Sequence, residues 1–124
     1  MNQFGHIVVV IDDDPVIREI VSFNLKLRGF AAYSFSNGIE ALKAIESIKP
    51  DLVILDVIMP DMDGWEICKI LRDTDETLKI LMLTALDTDR DKMIGRSILH
   101  ADEYMTKPFD LDELIESVKR LVEK

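Results

Sequence analysis

Short apolar runs alternate with stretches of helical periodicity along the chain. This alternation constrains the fold more than any other feature. His6–Ile11, Ala31–Phe35, Leu52–Leu55, Ile80–Leu83 and Tyr104–Thr106 read as strands. They are short and mostly apolar, as strands covered on both faces should be. Between them, apolar residues recur at helical spacing: Ile17, Ile20, Val21 and Leu25; then Ala41, Leu42 and Ile45; finally Leu111, Leu114, Ile115, Val118, Leu121 and Val122. Asp14 is placed to cap the first helix with Pro15 at its first position, Gly29 to end it, and Asp110 to cap the last. A β-α order repeated five times along the sequence predicts an α/β fold. The expected architecture is a parallel sheet with right-handed crossovers and helices on both faces.

Sheets of this kind bind ligands beyond the carboxyl ends of their strands, where the strand order reverses. Asp12 and Asp13 follow the first strand in "VVVIDDDP", and Asp56 ends the third in "LVILDVIMPDMDG". Thr84 ends the fourth in "ILMLTA", and Lys107 follows the fifth in "YMTKPF". All of them should converge on one edge. Carboxylates crowded there repel one another, and burial raises their pKa values. The crowding is stable in solvent or around a cation. Such a set suits Mg²⁺, which takes oxygen ligands and keeps several waters. A carboxylate beside a metal is also a possible nucleophile toward phosphorus, while a lysine and a threonine hydroxyl can hold phosphoryl oxygens. The pattern therefore fits metal-assisted phosphoryl transfer onto an aspartate. A single acid at a strand end is usually a helix cap or a solvated turn residue, and Asp14 and Asp61 are read that way. The joint pattern of acid pair, Asp, Thr and Lys is what points to chemistry.

Composition narrows the remaining classes. A chain of 124 residues is one domain by length, and 48% hydrophobic residues argue against disorder. The net charge of −9, with no basic run, argues against direct nucleic-acid binding. Cys68 is the single cysteine, which fits a reducing compartment. No apolar run is long enough to span a bilayer, and no basic-then-apolar leader opens the chain, so a soluble cytoplasmic protein with no membrane partner is expected. There is no G-x-x-x-x-G-K-[ST] and no G-x-G-x-x-G. Calcium-loop readings fail at Met59 and Ile70 in one stretch, and at Lys92 and Ile98 in another.

The four quoted stretches, in this order and at this spacing, resemble the receiver domain of two-component response regulators over essentially the whole chain. The resemblance implies a flavodoxin-like (βα)5 sandwich with strand order 2-1-3-4-5, the order of the family's chemotaxis member. It implies that Asp56 accepts phosphate from a phosphohistidine on a sensor histidine kinase or a histidine phosphotransfer protein. Asp13 would ligate Mg²⁺ directly and Asp12 mainly through water, with Asp56 and the backbone carbonyl of Ile58 as further ligands. Thr84 would hydrogen-bond a phosphoryl oxygen, and Lys107 would pair with Asp56 or its phosphate. The Lys107–Pro108 bond is expected to be cis, as X-Pro bonds readily permit. Tyr104 matches the aromatic residue whose rotamer reports the active state. The output would be a changed face built from the fourth helix, the fifth strand and the last helix. Such a protein is no enzyme beyond its own aspartyl phosphorylation and dephosphorylation.

Several positions refine or qualify the resemblance. Ile58 and Leu86 stand where an amide or acid often hastens phosphate loss, so a long phosphoryl lifetime is expected. Ser117 stands where winged-helix transcription factors usually carry an arginine in their dimer face. In the helix expected over Asp89–Leu99, Arg96 and Ile98 are unusual, and His100 replaces the glycine that commonly ends it. That helix is either locally adjusted or offers Ile98 and Leu99 to a partner. Residues 1–124 are expected to form a single receiver domain with no output domain, either a stand-alone receiver or a piece of a hybrid kinase, and its downstream target stays open. The rival reading is a haloacid-dehalogenase-like phosphatase, which also uses Mg²⁺ and an Asp nucleophile. That family places D-x-D after its first strand and usually needs a longer chain.

Overall fold

The computed structural model describes residues 5–85 and 101–123, with Thr84 described through its backbone. Leu86, His100 and the helix expected over 89–99, including Arg96 and Ile98, lie outside the described residues. The strands are β1 (Ile7–Ile11), β2 (Ala31–Phe35), β3 (Leu52–Asp56), β4 (Lys79–Thr84) and β5 (Glu103–Thr106). The described helices are α1 (Pro15–Leu27), α2 (Gly38–Ile48), α3 (Gly64–Thr74) and α4 (Leu111–Val122). All strand pairs are parallel, and the sheet order is β2-β1-β3-β4-β5. This is the expected order 2-1-3-4-5.

The sheet divides the interior into two cores because successive side chains of a strand point to opposite faces. Val9 and Ile11 of β1, Val53 and Leu55 of β3, and Ile80 and Met82 of β4 join Ala41 of α2 and Ile67, Cys68 and Leu71 of α3. Val8, Val10, Leu52, Ile54, Leu81 and Leu83 face the other way, onto Val21 and Leu25 of α1 and Leu114, Ile115, Val118 and Leu121 of α4. Both faces of β1 and β3 are covered, which explains why they are apolar up to Asp56 at the end of β3.

The helix ends follow local chemistry. Asp14 accepts from the Val16 N–H at 2.9 Å with Pro15 opening α1, and Gly29 follows that helix at φ +94°. Asp110 accepts from the Glu113 N–H at 3.1 Å at the start of α4. One periodic residue departs from expectation. Ile20 is 45% exposed rather than turned to the core, and it forms an exposed row on α1 with Val16, Phe23 and Leu27. Ile20 and Val21 are adjacent in sequence, so only one of them can sit at the centre of the buried face; Val21 does.

β1 lies between β2 and β3, so the chain leaves it in one direction and returns on its other side. The strand order therefore reverses between the carboxyl ends of β1 and β3. An open α/β sheet forms its crevice there.

Candidate functional site

The register that packs the core also sets the acidic edge. Ile11 pairs with Leu55, so the residues that follow, Asp12 and Asp56, emerge side by side. Asp56 is still within the ladder, paired with Leu83 of β4. On the far side Thr84 pairs with Thr106, and Lys107 leaves β5 immediately afterwards. The Lys107–Pro108 peptide bond is cis, as expected. Carboxylate oxygens of Asp12, Asp13 and Asp56 lie within 4.8 Å of one another. Asp12 and Asp56 are buried, whereas Asp13 is exposed.

The Asp12 carboxylate is engaged at both oxygens. Oδ1 accepts from the Asp14 N–H at 3.0 Å, and Oδ2 accepts from Lys107 Nζ at 2.8 Å. Its backbone is fixed as well, since its carbonyl accepts from the Arg18 guanidinium at 2.8 Å. Lys107 also lies 3.4 Å from Asp56 Oδ2. The lysine was expected to pair with Asp56 or its phosphate; here it touches both acids and sits closer to Asp12. Two buried carboxylates attract one ammonium more strongly than either alone, and the chain supplies it from the end of β5.

Electrostatics follow from this packing. Burial, and then the neighbouring Asp12 charge, push the Asp56 carboxyl up to about 6, against the opposing pull of Lys107 and the Ile58 N–H. For Lys107, burial pulls the ammonium down, but its contacts with Asp12 and Asp56 carry it above its ordinary value. Three carboxylates and one ammonium leave two formal negative charges at the edge when all are ionised. A divalent cation balances that charge, and an all-oxygen donor set suits a hard one. The residues present therefore fit Mg²⁺.

The loop after β3 is shaped by Gly64. A Cβ there would run into the Asp56 carbonyl oxygen, and the Gly64 N–H donates to the Val57 carbonyl at 2.7 Å. Only glycine lets α3 begin against the backbone of Asp56. Ile58 lies in this loop and is 57% exposed. Next along α3, Trp65 stacks on Tyr104 with ring centroids 6.4 Å apart and planes 16° from parallel. Tyr104 is buried on the α2–α3 side of the sheet. Neither Gly64 nor Trp65 stood out in the sequence, although the "MDG" ending a strand-to-helix loop could have marked the glycine.

Residues 8–119 match the family model of the response regulator receiver domain. The chain belongs to this family. The receiver is 44% identical over 117 residues to the alkaline phosphatase synthesis transcriptional regulatory protein PhoP of Bacillus subtilis, covering 94% of this chain and 48% of that protein. It thus spans about half the length of that curated relative. Among solved structures, the receiver domain of the Francisella response regulator 1452 superposes with a TM-score of 0.90 at 34% identity, over 96% of this chain and 98% of that one. The response regulator TrrA of Thermotoga maritima, solved in complex with Mg²⁺ and BeF, gives a TM-score of 0.83 at 40% identity, over 94% of this chain and 98% of that one. Mg²⁺-binding acidic residues and a phosphorylated aspartate are typical of the family, whose members are signalling domains rather than enzymes acting on separate substrates. The phosphatase reading is not favoured. The run Asp12-Asp13-Asp14 after the first strand does contain the D-x-D spacing, but it is the receiver-domain model that matches, over residues 8–119.

Proposed function

We propose that this receiver takes a phosphoryl group onto Asp56 from a phosphohistidine of a sensor histidine kinase or histidine phosphotransfer protein. The carrying observation is the cluster itself: a buried Asp56 at the sheet's carboxyl edge, within reach of Asp12, Asp13 and Lys107. An Asp56 carboxylate oxygen bonds to phosphorus as the phosphorus–nitrogen bond breaks. The electron pair stays on the imidazole, which takes a proton from water. Mg²⁺, when bound, supplies charge neutralisation and geometry at the transferring group. Asp13, exposed at the rim, suits direct ligation, with Asp56 and the Ile58 carbonyl as further ligands. Both oxygens of Asp12 already accept hydrogen bonds, which suits contact through water. Lys107 is drawn toward the added phosphoryl charge, and the Thr84 hydroxyl holds a second phosphoryl oxygen.

The product carries up to about two added negative charges and three acceptor oxygens. Thr84 and Lys107 respond to them, and Tyr104 on β5 passes the change to the face built with α4 and the segment before β5. A protein donor is supported by the exposed apolar row Val16, Ile20, Phe23 and Leu27, which runs along α1 from the acidic edge. We read residues 1–124 as one receiver unit acting in the cytoplasm without binding nucleic acid itself. No described helix is long and apolar enough to cross a membrane. The test is incubation with acetyl phosphate and Mg²⁺, followed by intact-mass measurement. The wild type should gain one phosphoryl group only with Mg²⁺, and Asp56→Asn should gain none. Labelling of Asp56→Asn to the wild-type extent would remove the assignment.

A further inference from the structure

Asp61 is read from the sequence as a helix cap or a solvated turn residue, and its carboxylate does cap a helix, one outside its own loop. Oδ1 accepts from the Gly38 N–H at 3.3 Å and Oδ2 from the Ile39 N–H at 3.1 Å, across 23 and 22 residues of sequence. These are the first two N–H groups of α2, which no intrahelical partner can satisfy. The helix has its own cap besides: the Asn37 side chain accepts from the Glu40 N–H at 2.9 Å and donates to the Glu40 carboxylate at 2.8 Å. Asp61 therefore does something the local cap does not. It ties the loop between β3 and α3 to a neighbouring helix. The approach is close, since a Cβ on Gly38 would lie 2.5 Å from Ile67 Cδ1 and 3.5 Å from Met62 Cβ.

The tie matters because of what the loop holds. Its start is fixed by the Asp56 backbone and its end by the Gly64 N–H to the Val57 carbonyl. Between those anchors lie Ile58, Met59 and Pro60. The Ile58 N–H bears on the Asp56 carboxylate and Met59 is buried in the core, and Asp61 adds a tie from the far end of the loop to α2. We propose that Asp61 is a positioning residue, which holds the acceptor loop against α2 so that the Ile58 carbonyl is preorganised for Mg²⁺. The inference rests on the metal site proposed above. Fixing a ligand before binding strengthens affinity by removing the cost of ordering it afterwards.

The experiment measures the thermal midpoint of the full chain against Mg²⁺ concentration. A dissociation constant follows by mass action, each variant being referred to its own metal-free midpoint. Asp61→Ala should weaken Mg²⁺ binding roughly three- to tenfold, less than loss of a group touching a ligand directly. Asp61→Asn keeps one acceptor oxygen and should fall between Asp61→Ala and wild type. Asn37→Ala removes the cap of the same helix without touching the loop, and should bind Mg²⁺ within about twofold of wild type. Equal Mg²⁺ affinity in wild type and both Asp61 variants would overturn the inference. So would an equal loss in Asn37→Ala, because helix fraying would then explain it. A wild type whose midpoint ignores Mg²⁺ would overturn the metal site itself, which separates the two failures.

Discussion

Lys107 donates to the Asp12 carboxylate at 2.8 Å, although 95 residues separate them in sequence. The contact joins the edge strand β5 to the centre of the sheet and places one cation against two buried acids. Breaking a partly buried pair leaves a charge without its partner, which costs more than the pair itself contributes. Lys107→Ala should therefore destabilise the metal-free protein by about 2–3 kcal/mol near neutral pH. It should also raise the Asp56 pKa further, because an attractive charge is lost. Urea unfolding in EDTA at several pH values checks both. The loss should shrink below pH 6, where Asp56 takes up a proton. A loss that grows with acidity would contradict this account.

Mg²⁺ supplies a different partner to the same edge. Ligand binding to the native state alone raises stability by about 3 kcal/mol at a hundredfold excess over the dissociation constant. The thermal midpoint should thus rise by several degrees at saturating Mg²⁺, and Asp13→Ala should remove most of that rise. In EDTA the same variant should lie within about 0.5 kcal/mol of wild type, since Asp13 is exposed. A full Mg²⁺-dependent rise in Asp13→Ala would argue against direct ligation.

Periodicity made the sheet and its two cores legible, because an apolar residue on the wrong face of a strand would be costly. The strand-end positions of Asp12, Asp56, Thr84 and Lys107 followed from it. Pairing across the ladder was not legible: the apolar runs Leu52–Leu55 and Ile80–Leu83 do not show that Asp56, Lys79 and Thr84 belong to the ladder. Ile20 was misplaced because periodicity cannot decide between adjacent apolar residues on one helix. The choice of Asp12 by Lys107 depends on the reach of a side chain at the end of β5. The bond from Asp61 to α2 depends on how two loops meet in space, and nothing local in "MPDMDG" signals it.

The Asp56 carboxyl sits near 6, above the 3.8 of an unperturbed group, chiefly because it is buried and secondly because Asp12 is beside it. The sign follows from proton uptake. Between about pH 4 and 6 the folded state binds this proton more tightly than the unfolded chain, so stability from this group is full below that window and lost as pH rises through it. The cost at pH 7 is on the order of 3 kcal/mol as an upper bound. In metal-free buffer Asp56→Asn should be more stable than wild type at pH 7.5 by about 1–3 kcal/mol, and the gap should close toward pH 4. Denaturant midpoints of both proteins across this range test it. A gap that widens on acidification would reverse the sign and reject the raised pKa.

The lifetime of the phosphorylated state should depend on Ile58. Hydrolysis of an aspartyl phosphate needs a water in line with the scissile bond, and a neighbouring amide or acid can hold it there. Ile58 is exposed just beyond Asp56, and its hydrocarbon side chain offers no hydrogen bond to such a water. Leu86, the other position where such a group would act, is apolar too and lies outside the described residues. The wild type should hold its phosphoryl group for long periods relative to other receivers. Ile58→Asn should shorten the half-life roughly three- to tenfold, which corresponds to about 1 kcal/mol of barrier. Ile58→Leu, which changes shape without adding a polar group, should leave it unchanged. The decay is followed by intact mass after removing acetyl phosphate, with Mg²⁺ kept constant. A wild-type half-life of seconds that Ile58→Asn does not alter would show that water is positioned by some other group.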